Sequence, residues 1–324
     1  MTVSRRQFLH LAAGAAAVPV LPRIARAQTY PSRPVRLIAT TAAGGTQDIL
    51  ARLIGQWLSE RLGQPFIIEN RSGGSGNIAT EFVVRSPPDG YTLLMFGAAN
   101  TVNATLYDKL NFNFIRDIAP VAGLMRSPNT LVVHPSVPAK TLPEFIAYAK
   151  ANPNKLNMAS TGNGSASHMC GELFKMMAGI NMVHVPYRGG GPALTDLIGG
   201  QVQVLFINLP IAGYVKAGKL RALAVTTATR AEEFPDIPTV GEFVPGYEAS
   251  AWYGVGASKD TPAEIVDKLN KEINAALADP KIRARLAQQA GTALPGSPAE
   301  FGTLIANETE KWAKVIRAAN IKAD

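Results

Sequence analysis

The sequence predicts an α/β protein of two lobes with a ligand cleft between them, and three observations predict it. Strand and helix patterns alternate along two successive stretches, one starting at Val35 and one near Ser127. No Gly/Ser or Pro linker separates the two series, so the chain is expected to cross between lobes more than once. Glycine-rich turns follow several of the strands, at the carboxyl end where open parallel sheets bind ligands. The 324 residues, 47% apolar and 17% charged, hold ample core-forming material for this arrangement and exclude a disordered or fibrous chain.

Residues 1–27 read as a targeting segment rather than part of the fold. Arg5 and Arg6 stand between Ser4 and Phe8-Leu9, the twin-arginine pattern, with His10 where a lysine is more usual. A mildly apolar run from Leu11 to Leu21 follows, and "ARA" at 25 to 27 offers small residues to a signal peptidase, so cleavage is expected after Ala27. The run is too short to span a bilayer and ends on Pro19, Pro22 and Arg23. Its removal takes away four arginines and no acid, which lowers the formal charge from +8 to +4. That modest balance, without a Lys/Arg run, argues against a nucleic-acid partner. No later stretch is long and apolar enough to cross a membrane, so the mature chain is expected in the periplasm. Cys170 is the single cysteine; it has no partner for an internal disulfide, and no thiol follows the signal to carry a lipid.

Along the mature chain, "VRLIAT" (35 to 40) reads as a buried strand, and Leu50, Leu53, Ile54, Trp57, Leu58 and Leu62 then recur at helical spacing. "PFIIEN" (65 to 70), the turn "RSGGSGN", a helix through Phe82 to Val84 and the strand "YTLLMFG" complete a βαβαβ unit. In the second series Thr141 and Glu144 form a capping box for the helix "LPEFIAYAK". "LNMAS" (156 to 160), "NMVHVPY" (181 to 187), "VQVLFIN" (202 to 208) and "LRALAVTT" (220 to 227) read as strands. They alternate with the helices "SHMCGELFKMM", "GPALTDLIGG" and "IAGYVKAG". From Thr261 the chain is helical, with "TPAE" and "SPAE" each placing a cap, a proline and a glutamate at a helix start.

The chemistry rests on four glycine turns: "TTAAGGTQD" (40 to 48), "SGGSGN" (72 to 77), "STGNGSASH" (160 to 168) and "YRGGGPALTD" (187 to 196). None carries the Lys followed by Ser/Thr of a phosphate loop, and none is a G-x-G-x-x-G dinucleotide turn. No G-x-S-x-G surrounds Ser165 or Ser75, and His168, three residues after Ser165, approaches from the wrong direction for a general base. His134, His168 and His184 are scattered without a partner at i+4, so no metal and no cofactor is expected. What remains are neutral donors: backbone N–H groups, the hydroxyls of Thr40, Thr41, Thr46, Thr161, Ser165 and Ser167, and the Asn163 side chain. Such groups suit a small carboxylate, held reversibly.

A structural reading stands open beside each functional one. Gly44-Gly45 also fits a tight connection, and Asp48 a cap for its own helix. His168 also fits a packed or capping residue, Arg188 a solvated charge and Trp252 a core position.

From Tyr30 to the end the chain resembles the Bug family, the extracytoplasmic solute receptors of tripartite tricarboxylate transporters. The resemblance is carried by "YPSRPVRLI", "GGTQDILAR", "STGNGSASHMCGELF", "HVPYRGGGPALTDLIGGQV", "RAEEFPDIPTVGEFVPGYE" before Trp252, and "TPAEIVDKLNKEI", in order and in register. It implies a type II periplasmic-binding-protein fold, each lobe a mostly parallel sheet flanked by helices. Lobe 1 would span 28–126 plus 252–324, and lobe 2 127–251. It also implies a monomeric binding protein, not an enzyme, that delivers a small di-, tri- or aromatic carboxylate to membrane permease subunits. Carried over by position, the ligand residues are Thr41, Gly44, Gly45, Thr46 and Asp48 in the first lobe. Those of the second are Thr161, Gly162, Asn163, Gly164, Ser165, Ser167 and His168, with Tyr187, Arg188 and Trp252 shaping the rest. In one respect the chain departs from the family: its first loop has Thr41, Ala42 and Ala43 where prolines are common. Two other classes are weighed against this: a periplasmic carboxylic-ester hydrolase, which turnover would reveal, and a receptor serving a signalling partner.

Overall fold

The computed structural model describes residues 30–323 apart from 108, 188, 210, 232 and 233; the expected signal segment and its cleavage site lie outside the described residues. In the first lobe Val35–Ala39 (β1), Phe66–Asn70 (β2) and Thr92–Gly97 (β3) alternate with the helices Thr46–Leu62 (α1), Asn77–Val84 (α2) and Ala99–Leu106 (α3). β3, and β1 apart from the half-exposed Arg36, are covered on both faces, as central strands of a two-sided sheet must be. The short helix Phe114–Asp117 (α4) precedes Ile118–Pro128 (β4), which runs almost directly into Thr130–Val133 (β5) of the second lobe. There Asn157–Ser160 (β6), Val183–Pro186 (β7), Val204–Ile207 (β8) and Arg221–Val225 (β9) interleave with Leu142–Ala151 (α5), Ala166–Ala178 (α6), Gly190–Ile198 (α7) and Ala212–Lys216 (α8). Ser250–Ser258 (β10) returns to the first lobe, followed by Ala263–Ala278 (α9), Pro280–Ala287 (α10), Thr292–Ala293 (β11) and Pro298–Ala318 (α11).

The strands form two sheets, ordered β11-β4-β10-β3-β1-β2 and β7-β6-β8-β5-β9. Both are mixed rather than mostly parallel. β1 pairs in parallel with β2 and β3, but β10 runs antiparallel to β3 and β4. In the second sheet β6 is parallel to β7 and β8, while β5 is antiparallel to β8 and β9. The reason is the crossing itself. Strands built inside a lobe point their carboxyl ends at the junction, whereas β5 and β10 enter their lobes from that junction and must run the other way.

The core lies on both faces of each sheet. In the first lobe Leu50, Ile54 and Leu58 of α1 pack with Leu269 and Ile273 of α9 on one face, and Val83, Phe96, Trp252 and Phe301 fill the other. Each such buried side chain contributes about 2 kcal/mol relative to exposure. Gly254 of β10 has no room for a Cβ, which would overlap the Phe301 ring, so glycine there lets α11 lie close on the sheet. α11 does not stop at that lobe. Its Phe301 and Ile305 belong to the first-lobe core, while Trp312, Val315 and Ile316 join the second with Val102 and Leu106 of α3. Between them Glu308 Oε2 accepts from the indole N–H of Trp252 at 3.4 Å and of Trp312 at 2.8 Å.

Helix starts follow the sequence in one case and depart from it in another. Ser297 and Glu300 make both halves of a capping box at α11. Thr261, expected to cap α9, instead donates its hydroxyl to Ser258 O at 2.7 Å, and α9 opens after Pro262 without a side-chain cap.

Candidate functional site

β1, β2, β6 and β7 each deliver a glycine turn to the junction between the lobes, and each turn opens a helix. In the first, Gly44 takes φ +83°, open to glycine at little cost, and its N–H donates to Asp48 Oδ2 at 2.9 Å. Asp48 also meets Arg52 at two points, Nε to Oδ2 at 3.0 Å and Nη2 to Oδ1 at 2.9 Å. The Arg52 guanidinium, helped by the Gly44 amide and against the effect of burial, holds the Asp48 carboxyl down to about 2. Asp48 therefore fastens the turn to its helix, and the charge of Arg52 is spent on it. Gly45 caps α1 with no side chain, so the amides of Thr46, Gln47 and Asp48 have no internal acceptor among the described residues. Beside them Thr41 Oγ1 is buried without a hydrogen-bond partner in the protein.

The second turn is stiffened by its own side chains. Ser165 caps α6: its hydroxyl donates to Gly162 O at 2.7 Å and accepts the His168 N–H at 3.2 Å. Ser167 is buried with its hydroxyl on Phe206 O at 2.5 Å. His168 is buried too; its Nδ1 accepts the Gly164 N–H at 3.1 Å, which assigns the ring proton of the neutral form to Nε2, 3.6 Å from Glu172 Oε1. Its ring stacks on His184 at 3.7 Å. Burial pushes the Glu172 carboxyl up, yet His168 and Lys175 outweigh it and hold it below the usual range. Ser165 thus has no imidazole base, and the pair is a capped loop rather than a nucleophile and its partner. Gly162 takes φ +128° and Gly164 is buried against Leu106 of α3, while Asn163 is half-buried between them. Thr161 keeps its N–H and hydroxyl free of protein partners among the described residues.

The remaining expected residues divide. Tyr187 faces its own lobe: its hydroxyl donates to Asp196 Oδ2 at 2.6 Å, and burial together with Asp196 pushes the phenol up to about 12. Gly189 then opens α7 without a side-chain cap. Arg188 lies outside the described residues. Trp252 is fully buried, edge-on to Phe96 and Phe301, and takes the core position. Its neighbour Tyr253, on the other face of β10, reaches the junction instead. The Tyr253 phenol lies near the side chains of Thr46, at the start of α1, and Asn208, directly after β8. Burial raises its pKa, with those two neighbours opposing.

Tyr253 therefore stands between a ligand-loop residue of one lobe and a strand-end residue of the other. Sequence reasoning missed both Tyr253 and Asn208. Two signals pointed to them: Asn208 ends the strand pattern "VQVLFIN" as Thr40 and Ser160 end theirs, and a core Trp252 sends its neighbour to the opposite face. The described residues hold no group of three His, Cys, Asp or Glu able to bind a metal, and no helix among them is long and apolar enough to cross a membrane.

Residues 50–321 match the model of the tripartite tricarboxylate transporter family receptor. The chain belongs to that family. Among curated relatives, this receptor is 35% identical to protein BugT of Bordetella pertussis over 300 residues, 91% of this chain and 92% of BugT. Among solved structures it resembles Rpa4515 of R. palustris with adipate, at 39% identity and a TM-score of 0.78, covering 90% of this chain and 99% of that one. It also resembles MatC from Rhodopseudomonas palustris with bound malate, at 32% identity and a TM-score of 0.73, covering 89% and 100%. The receptor is thus a solute-binding protein of the Bug type, with the two-lobed fold its motifs imply.

Proposed function

We propose that this receptor works in the periplasm, capturing a small dicarboxylate between its lobes and handing it to the permease of a tripartite tricarboxylate transporter. The observation that carries this reading is the uncapped start of α1 beside the buried, unpartnered Thr41 hydroxyl, with the Tyr253 phenol standing near Thr46 of one lobe and Asn208 of the other. A carboxylate there would meet the amides of Thr46 to Asp48 and the Thr41 hydroxyl from one lobe, and the Thr161 amide from the other. Adipate and malate, the molecules bound by the two structural relatives, are dicarboxylates of suitable size. Contacts from both lobes favour closure, because a ligand shifts an equilibrium only by its differential affinity for the two states.

In this reading residues 28–126 and 252–324 form lobe 1, and 127–251 form lobe 2. The mature chain is a monomer exported through the twin-arginine route. Neither a catalytic nor a signalling role is favoured by any side-chain arrangement described above. The test is calorimetric titration of the mature chain with adipate and malate. Saturable binding without turnover is expected; absence of binding to a panel of dicarboxylates would refute the reading.

A further inference from the structure

Behind the hinge the two lobes border a half-open cavity of about 490 Å³, within the range that small-molecule sites occupy. Arg126 and Ala287 stand on its first-lobe wall, Thr229 and Arg230 on the second. Sheet order places it away from the glycine turns. Those turns follow β1, β2, β6 and β7, whereas the cavity borders β4, β11 and β9 at the other end of both sheets. The hinge runs between the two regions and is cross-braced: Asn129 N–H donates to Thr226 Oγ1, Thr226 N–H to Asn129 O and Ala249 N–H to Thr226 O, each at 2.9 Å.

Two guanidiniums line this cavity, and no carboxylate does among its described lining residues. Arg126 reaches Glu248 Oε1 with Nη1 at 2.9 Å, but its Nε is buried with no acceptor in the protein. Arg230 clasps Glu242 with Nε and Nη2, at 3.1 and 2.9 Å, and turns Nη1 to Pro235 O at 3.3 Å. Each guanidinium is ion-paired to a glutamate outside the described lining, so the donor left for an anion is Arg126 Nε, and two carbonyls at the end of α10 are already occupied. Leu286 O accepts the amides of Gln289 and Gly291, and Ala290 O accepts the Ser127 hydroxyl at 2.9 Å. Pro128, Ala231, Ala287 and Ala290 add apolar surface, beside three threonines, Gln288 and Gly291.

We propose that this cavity is a second binding site, for a small organic anion with an apolar body, and that its occupant favours the lobe arrangement described here. The coupling is geometric. A rotation about the hinge that parts the glycine turns brings the rear walls together, so an occupant filling the present volume resists opening. It therefore tightens binding in the cleft, and the effect is reciprocal. The coupling rests on the carboxylate-cleft reading; the rear site itself does not.

The probe is 1-anilinonaphthalene-8-sulfonate, a fluorescent organic anion of this class, titrated into the mature chain. One-to-one saturable binding is expected. Ala287→Trp on one wall and Thr229→Trp on the other fill the cavity and should each weaken it by about tenfold or more, and Arg126→Gln, which keeps a donor for Glu248, by about fivefold. Ala287 and Thr229 are both exposed, and if one variant fails to fold the other carries the test. No saturable binding at millimolar probe, or binding untouched by all the folded variants, overturns the site. Adipate is then titrated with and without bound probe. Tighter adipate binding supports the coupling, unchanged binding removes it, and displacement of the probe by adipate puts the probe in the cleft and overturns the rear site. If adipate does not bind at all, the cleft reading fails and the rear-site result stands by itself.

Discussion

Thr41→Val should raise the stability of the free protein and lower its affinity for a dicarboxylate, opposite signs from one substitution. Valine keeps the shape and volume of threonine and removes the hydroxyl. That hydroxyl is buried without a partner in the protein, a situation that costs about 1–3 kcal/mol. Removing it should therefore gain the free protein about 1 kcal/mol, read as a higher urea midpoint at unchanged slope. In the complex the same hydroxyl would donate to a carboxylate, and a hydrogen bond to a charged group contributes about 1.5–3 kcal/mol. Its loss should weaken adipate binding by about ten- to a hundredfold in calorimetric titration. The free-state measurement guards against a trivial explanation, since a variant that binds poorly because it is misfolded would also be less stable. A destabilised free variant, or adipate affinity equal to that of the parent, would refute the placement of Thr41 in the site.

Three further outcomes are expected. The drop of the Asp48 carboxyl from 3.8 to about 2 corresponds to about 2.4 kcal/mol at most, reduced to about 1 kcal/mol because Arg52 is 57% exposed and screened. The folded value is the depressed one, so this stability is present above about pH 4 and is lost as the pH falls toward 2. In urea unfolding Asp48→Asn should trail the parent fully at about pH 6 and by less at about pH 3, and a gap that ignores pH would contradict the ion pair. Ser165→Ala should cost about 1 kcal/mol of stability through the lost cap, yet alter adipate affinity by less than about threefold, because the hydroxyl is already spent on Gly162 O. A larger loss of affinity would show that Ser165 turns to the ligand. Tyr253→Phe removes the phenol that stands near Thr46 and Asn208 and should weaken adipate binding by about tenfold, with unchanged affinity refuting its place in the site.

The turns and the strands feeding them were legible because their signals are local. "VRLIAT" and "LNMAS" are short apolar runs followed by glycines, and both became strands ending at the junction. The strands that build the hinge were not legible. β4 carries Pro120 and Gly123, and β10 carries Gly254 and Gly256, residues that mask a strand pattern in the sequence. They are there because a helix and a neighbouring chain segment press close: Gly123 stands against Leu294, and Gly254 against Phe301. Those contacts are distant in sequence, and periodicity carries no trace of them. The same limit applies at the site. The residue types suited to a carboxylate were visible, but which hydroxyls were already spent was not. Ser165, Ser167 and Asp48 proved to brace their own loops, and Trp252 sits in the core; Thr41 and Thr161 kept free donors.

The sharing of α11 between the two cores has a bearing on how the molecule comes apart. A lobe cut free at the hinge would leave one end of that helix hanging and a tryptophan without its place, so neither half is a self-sufficient folding unit. Unfolding should then be a single cooperative event despite two sheets and two lobes. The helix also limits motion, because any rotation of one lobe against the other must keep Phe301 seated in the first and Trp312 in the second. Glu308, accepting from one indole in each core, fastens the two cores to each other through a single carboxylate.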